Sequence, residues 1–288
     1  MKCNIIGAGR LGKNIALALS TSSIISSIAI CNRTFESAQK ACADLGFGLP
    51  ISALETLPAA DVTWISCNDD AIAEVVEQLT QRDRLKPGSF IIHSSGVLNS
   101  ALLSPLKAKG CFIASFHPLK AFKTNYLDAN AFKQVDCVLE GDEAVCDWLR
   151  SSFESLGAYV TAIKPENKPL YHAAACVASN YLITLASCSE ELFLQAGLST
   201  QQSRRMLLNL MQGNLTNLQQ TETIAEALTG PLVRGDVKTI SLHLDSIKNA
   251  DILKLYKAAG LASIALTSLT EEQREQIKDL LVLSNTPP

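Results

Sequence analysis

No two cysteines of this chain stand at C-x-x-C spacing, and the cysteine count, nine, is odd. Several sit inside apolar runs, so the set reads as reduced core residues rather than a disulfide framework, and no metal site is expected. Charge of one sign is equally scarce: the formal net charge is -3. Such a balance gives no electrostatic ground for a nucleic acid or an anionic membrane as partner. The N-terminus has no charged segment followed by a long apolar one, so no signal peptide is read there. The longest apolar stretch, residues 173–186, is broken by Ser179, Asn180 and Thr184 and is too short for a bilayer span. A cytoplasmic protein is expected. Internal repeats and low-complexity tracts are also missing, and only the tail, 284–288, reads as disordered.

What is present is enough for two ordinary domains. The chain has 288 residues, 47% hydrophobic and 18% charged, the composition of a folded protein with a sizeable core.

The organising stretch is the first twelve residues. The apolar run with Cys3, Ile5 and Ile6 leads into Gly7-Ala8-Gly9-Arg10-Leu11-Gly12, and a helix-compatible segment follows at once. A G-x-G-x-x-G between strand and helix points to a dinucleotide site: Gly7 for the turn, Gly9 for close approach of a pyrophosphate, Gly12 for packing helix on strand. Amides at the helix start then face the anion. Glycine-rich turns also arise for conformational reasons alone, and the context of strand and helix is what favours the nucleotide.

Further strands are expected at 24–31, 61–66, 89–93, 111–116, 135–140 and 159–163, with helices at 35–45, 71–79, 100–108 and 143–156 between them. That alternation predicts an α/β domain with a doubly wound, Rossmann-type parallel sheet. At residues 164–169 a charged stretch with two prolines changes the character, and everything beyond reads as helix: 171–196, 200–218, 223–228, 237–246, 252–266 and 271–281. The expected domains are therefore a nucleotide-binding domain, 1–164, and an all-α domain for substrate and dimerisation, 165–288.

The nucleotide is read at the end of the second strand, about 20 residues past the glycines, by an acid for NAD or a basic residue for NADP. Here stand Asn32, Arg33 and Thr34, with no carboxylate before Glu36. A guanidinium and a hydroxyl suit a 2′-phosphate, so NADP is the expected cofactor. Asn32 or Thr34 also suits the cap of the following helix.

Three strands end in polar clusters: Asn68-Asp69-Asp70, Ser94-Ser95-Gly96 and His117-Pro118. Ligands bind outside the carboxyl ends of strands in open parallel sheets, which places these clusters at the nicotinamide half of the crevice. Asn68 and Ser94 are expected at the cofactor and Ser95 at the substrate. Asp69 and Asp70 read first as helix caps, and Ser95-Gly96 also fits an ordinary turn. A histidine side chain can titrate near neutrality, so His117 is a candidate for proton transfer, with a satisfied structural histidine as its alternative.

The first helix beyond residue 164 carries Lys168, His172, Cys176, Ser179 and Asn180 among alanines. At the helical repeat, Lys168, His172 and Ser179 fall within about 40° of one face. Lys168 and His172 are thus catalytic candidates, against a solvated lysine and a histidine bonded to a core carbonyl. Asn180 is a candidate substrate contact. Arg234, between Gly230-Pro231 and a helix-capping Asp236, suits either a substrate carboxylate or a structural acid. His93 and His243 lie in apolar patterns and read as structural.

The stretches IIGAGRLG, CNRTFESA, HSSGVL, ASFHPLKAF, KPLYHAAACVASNYL and TGPLVRGD span most of the chain. They resemble a family that joins a Rossmann-like NADP-binding domain to a helical domain of unknown function, itself similar to pyrroline-5-carboxylate reductase and 6-phosphogluconate dehydrogenase. The resemblance implies NADP bound across the crevice and a homodimer built through the helical domain. The spacing of Lys168 and His172 is similar to the K-x-x-x-N of 6-phosphogluconate-type dehydrogenases, whose lysine is the acid/base, with histidine in place of asparagine. His117-Pro118 is similar to the H-P motif of prephenate dehydrogenases. The expected activity is hydride transfer between NADP and a small polar metabolite, an imine, ketone or alcohol. A non-catalytic NADP-binding sensor is the alternative from another class.

Overall fold

The apolar run behind Met1 forms β1 (Lys2–Ile6), and the glycine turn delivers the chain into α1 (Arg10–Thr21). In chain order follow β2 (Ser27–Cys31), α2 (Phe35–Leu45), β3 (Leu49–Ile51), β4 (Val62–Ile65), α3 (Asp69–Thr80), β5 (Phe90–His93), α4 (Ser104–Lys107), β6 (Phe112–Pro118), β7 (Asp136–Gly141), α5 (Glu143–Ser155), β8 (Tyr159–Ala162) and α6 (Lys168–Ala178). The computed structural model describes residues 1–81, 85–123 and 126–283, so the tail expected to be disordered lies outside the described residues.

The eight strands make one sheet in the order β3-β2-β1-β4-β5-β6-β7-β8. Strand order reverses on either side of β1, and a crevice opens at such a switch point. Every pairing is parallel except β6 with β7. That one antiparallel step departs from the wholly parallel sheet expected from sequence. Parallel neighbours need a crossover, usually a helix, and the described residues between Pro118 and Asp136 form none. β3 was missed because its three residues include Pro50 and carry no periodic pattern.

Both faces of the sheet are buried, and period-two alternation sorts the side chains between them. Ile5, Trp64, Ile92, Ala114 and Phe116 join one core, with Phe132 and Phe153. Ile6, Ile65, Ile91 and Ile113 join the other, against α3 and α4. In the first core Trp64 meets Phe116 edge-on at 5.7 Å between ring centroids, and Phe116 lies 4.2 Å from Phe153. Burying each such ring contributes about 1.5–3 kcal/mol.

The chain divides into two compact units, Met1–Ala178 and Ser179–Pro288. The helix that carries Lys168 and His172 therefore packs with the sheet, although the change of composition comes earlier, near residue 164. The apolar run 171–196 is two helices, α6 and α7 (Asn180–Gln195), interrupted at Ser179.

In the second unit α7 is followed by α8 (Thr200–Gln220), α9 (Ile224–Ala227), α10 (Val237–Ser246), α11 (Ala250–Ser263) and α12 (Glu271–Leu283). Ser199 and Gln202 form a reciprocal capping box at the start of α8, and Asp236 caps α10 by accepting the Thr239 N–H at 3.1 Å. Ile240, Leu244, Ile264, Leu269, Ile277 and Leu281 form its core. Among the described residues no helix is long and apolar enough to cross a membrane.

Candidate active site

The glycine turn is built as its spacing predicts. Gly7 has φ +86°, and a Cβ on it would fall 2.6 Å from the Cys67 amide nitrogen, so no other residue fits. A Cβ on Gly12 would fall 2.8 Å from the Gly7 carbonyl, whereas one on Gly9 would meet nothing nearer than 4.0 Å. Space is thus left at Gly9, where α1 begins and the amides of Arg10, Leu11 and Gly12 lack intrahelical acceptors. The Leu11 side chain packs on the core, so this residue offers the crevice its backbone.

A cavity of about 600 Å³ lies over this turn, lined by Gly7, Ala8, Gly9, Arg10, Asn32, Arg33, Thr34 and Asn68 among others. Asn32 Oδ1 accepts the Ala8 N–H at 2.6 Å, clamping the glycine turn to the end of β2. Thr34 caps α2, accepting the Ser37 N–H at 3.3 Å. Asn68 is the N-cap residue of α3 and makes no side-chain cap bond; Asp69 and Asp70 stand in the first turn, where acids complement the helix dipole.

Sequence reading did not single out Lys13 and Lys40, which also line the cavity. Both bind Asp44, at 2.7 and 3.2 Å, and hold its carboxyl below the usual carboxylate range. Their spacing along α1 and α2 gives no motif. Arg33 has no carboxylate partner among the described residues.

The second cluster stands at the carboxyl ends of β5 and β6. His93, Ser115 and Glu140 are register partners across β5, β6 and β7, so they form one row on the same face of the sheet. All three are buried. Lys168, wholly buried at the start of α6, donates to the Ser95 carbonyl at 2.9 Å and to Ser115 Oγ. Burial pushes its ammonium down to about 8, against Glu140 and Asp69, which pull it up.

The turn that Lys168 holds is fastened from every side. His93 Nδ1 accepts the Ser95 N–H at 3.2 Å, and its Nε2 lies 3.1 Å from the Asn99 carbonyl, the geometry of a neutral ring. Burial, then the Lys168 charge, drives His93 down to about 4. Ser95 Oγ accepts the N–H groups of Val97 and Leu98 at 3.3 and 3.0 Å, so its hydroxyl serves its own loop. Ser94 Oγ accepts the Trp64 indole N–H at 2.8 Å on the opposite face.

Above the turn lie His117 and His172, ring centroids 5.8 Å apart. His117 Nδ1 is 2.9 Å from the Tyr171 hydroxyl, which leaves Nε2 on the Gly96 side. A Cβ on Gly96 would stand 3.0 Å from His117 Nε2 and would collide with His172 Cδ2. Burial, then the charges of Lys168 and His172, lowers His117 to about 4, while burial raises the Tyr171 phenol. His172 Nδ1 faces Cys176 Sγ at 3.8 Å.

Ser95, His117, Lys168 and His172 are therefore brought together within the first unit. Asn180, exposed at the first residue of α7, and Arg234, exposed before α10 in the field of Asp236, belong to the second. His243 bonds the Tyr256 hydroxyl at 2.8 Å within that unit.

Residues 1–118 match the Rossmann-like domain family, and residues 135–263 match a domain of unknown function, DUF2520. The chain thus joins a Rossmann-like domain to a DUF2520 domain. No curated protein matches it in sequence. Among solved structures it is similar to a candidate NADP oxidoreductase from Bacteroides fragilis, with 21% identity over 92% of this chain and 98% of that one and a TM-score of 0.76. It is also similar to a protein from Thermotoga maritima, with 24% identity over 92% and 97% and a TM-score of 0.68. A third, the pyrroline carboxylate reductase of Plasmodium falciparum with NADP bound, has 15% identity over 93% and 98% and a TM-score of 0.60. At these identities the likeness establishes the fold.

Proposed function

We propose that the chain is an NADP-dependent oxidoreductase acting on a small polar metabolite with an imine, ketone or alcohol carbon. One observation carries the reading: the cluster of Lys168, His117 and His172 stands at the carboxyl ends of β5 and β6, in the sheet whose switch point carries the glycine turn. The turn suits the dinucleotide on steric grounds, because Gly9 leaves open space beside the helix N-terminus. Arg33 and Thr34 suit the 2′-phosphate, and Arg10 lines the same cavity. NADP, when bound, supplies the hydride chemistry; this chain's residues orient the substrate and manage the proton.

Of the three candidates, His117 and His172 are partly exposed and set their rings against Gly96. Lys168 acts from below, through the carbonyl of Ser95 and the hydroxyl of Ser115. Asn180 and Arg234 remain proposed substrate contacts. A homodimer through the helical domain accords with apolar side chains left exposed there, among them Tyr181, Ile183, Leu208, Leu210 and Leu242. Light scattering of the purified protein checks it.

The test is thermal shift with NADPH and with NADH, followed by a metabolite screen that follows NADPH absorbance. A larger shift with NADH overturns the choice of NADP. A second reading, a non-catalytic NADP-binding sensor, is favoured by the complete burial of Lys168. Turnover of any screened metabolite that is lost in His117→Ala and His172→Ala excludes it.

A further inference from the structure

Among the described residues Glu140 is the one buried acid, 4% exposed, and no part of the cofactor cavity uses it. We propose that Glu140 is a positioning residue for the reaction: the buried counter-charge, placed across the β6–β7 ladder, that keeps the Lys168 ammonium protonated and bonded to the Ser95–Gly96 turn. This rests on the reading of that turn as the substrate-facing floor of the site.

The argument begins with register. Glu140 is the direct partner of Ser115, and Ser115 Oγ takes a hydrogen bond from Lys168 Nζ. Carboxylate, hydroxyl and ammonium thus share one face of the sheet within the span of two strands. The carboxylate is itself fixed: Oε1 accepts the Ser100 N–H and Oε2 the Ser100 hydroxyl, each at 2.7 Å. A loop does not need a buried charge at Ser100, because a glutamine could accept the N–H through its carbonyl and donate to the hydroxyl oxygen through its amide. What the charge adds is compensation for an ammonium that has lost all contact with water.

The groups around Lys168 divide clearly. His93 on β5, His117 on β6 and His172 on α6 are bases whose protonation would oppose an ammonium. Asp69 on α3 and Glu140 on β7 favour one. Asp69 is exposed and its field is screened by water, whereas that of Glu140 acts through protein. Losing Glu140 leaves the buried ammonium without its buried counter-charge, and a lysine that has become neutral holds the Ser95 carbonyl with a weaker, uncharged donor.

The experiment is Glu140→Gln in the full chain, with the protonation of Lys168 followed by NMR of labelled lysine against pH, its signal assigned by absence in Lys168→Met. The expected result is a protonation constant at least about tenfold lower in the folded variant, with Glu140→Asp nearer to wild type. An unchanged constant in folded Glu140→Gln overturns the proposal. Should Glu140→Gln fail to fold, the double variant Glu140→Gln/Lys168→Met decides: restored folding supports the charge pairing, and continued failure overturns it. Neither readout needs cofactor or substrate. A protein that shows the lysine response but gains no stability with NADPH retains the pairing and loses the oxidoreductase reading.

Discussion

Lys168 donates a hydrogen bond to the carbonyl of Ser95, 2.9 Å away and 73 residues earlier in the chain. The bond ties the start of α6 to the turn after β5, so a lysine with no exposed surface holds that turn in place. Lys168→Met keeps most of the side-chain volume and removes the donor. Turnover is expected to fall roughly 100-fold with NADPH affinity nearly unchanged, the pattern of an interaction that matters to the reacting geometry rather than to cofactor binding. Steady-state kinetics on the identified substrate, beside NADPH titration, check it. An equal loss in both would place the residue in cofactor binding instead.

Gly96 lies against two imidazoles, with room for hydrogen and none for a methyl group. Gly96→Ala is expected to displace His172 and His117, costing about 1–3 kcal/mol of stability through overpacking. Turnover should fall by more than that cost alone accounts for, because both rings move from their places. Chemical denaturation and kinetics on the same preparation separate the two effects.

Much of this was legible in the sequence because it is local. The turn at Gly7, the cap at Thr34 and the strand ends at Ser95 and His117 each follow from a few neighbouring residues whose conformational preferences agree. The reversal between β6 and β7 was legible in principle, since no helical period separates those strands. Alternation elsewhere suggested a parallel continuation. What could not be read is the row His93, Ser115 and Glu140. Its members come from three strands, and only the register that packing sets makes them neighbours. The same holds for Asp44, which gathers Lys13 and Lys40 from two helices. Lys168 and His172 were found by helical spacing, but spacing does not tell a lysine facing the crevice from one buried beneath it.

Two histidines make stability depend on acid. Burial holds both His93 and His117 down to about 4, from an ordinary value near 6.5. Between those values the unfolded chain binds more protons than the folded one, so stability rises with pH. It is fully present above about pH 6.5 and is lost as pH falls toward 4. The loss is about 3 kcal/mol for buried His93 and smaller for part-exposed His117. Urea denaturation from pH 7 to 4 measures it, and His93→Asn should flatten the curve. A stability independent of pH over that range would contradict the burial of both rings.

In the proposed reading Arg33 is the residue that separates the two nicotinamide dinucleotides. It follows Asn32, whose Oδ1 accepts the Ala8 N–H, so the backbone that carries Arg33 is fixed at the end of β2 beside the glycine turn. Lys13 and Lys40 already share Asp44, which leaves Arg33 and Arg10 as the cations lining the cavity that have no carboxylate partner among the described residues. A charge-assisted bond of this kind contributes about 1.5–3 kcal/mol. Arg33→Ala is therefore expected to weaken NADPH binding roughly 10- to 100-fold. NADH, lacking the 2′-phosphate, should bind the variant and the wild type alike. Calorimetric titration of both nucleotides at two salt concentrations checks this, because the phosphate contact should also remove part of the salt dependence for NADPH. Equal weakening of both would move Arg33 from the 2′-phosphate to the part of the nucleotide that they share.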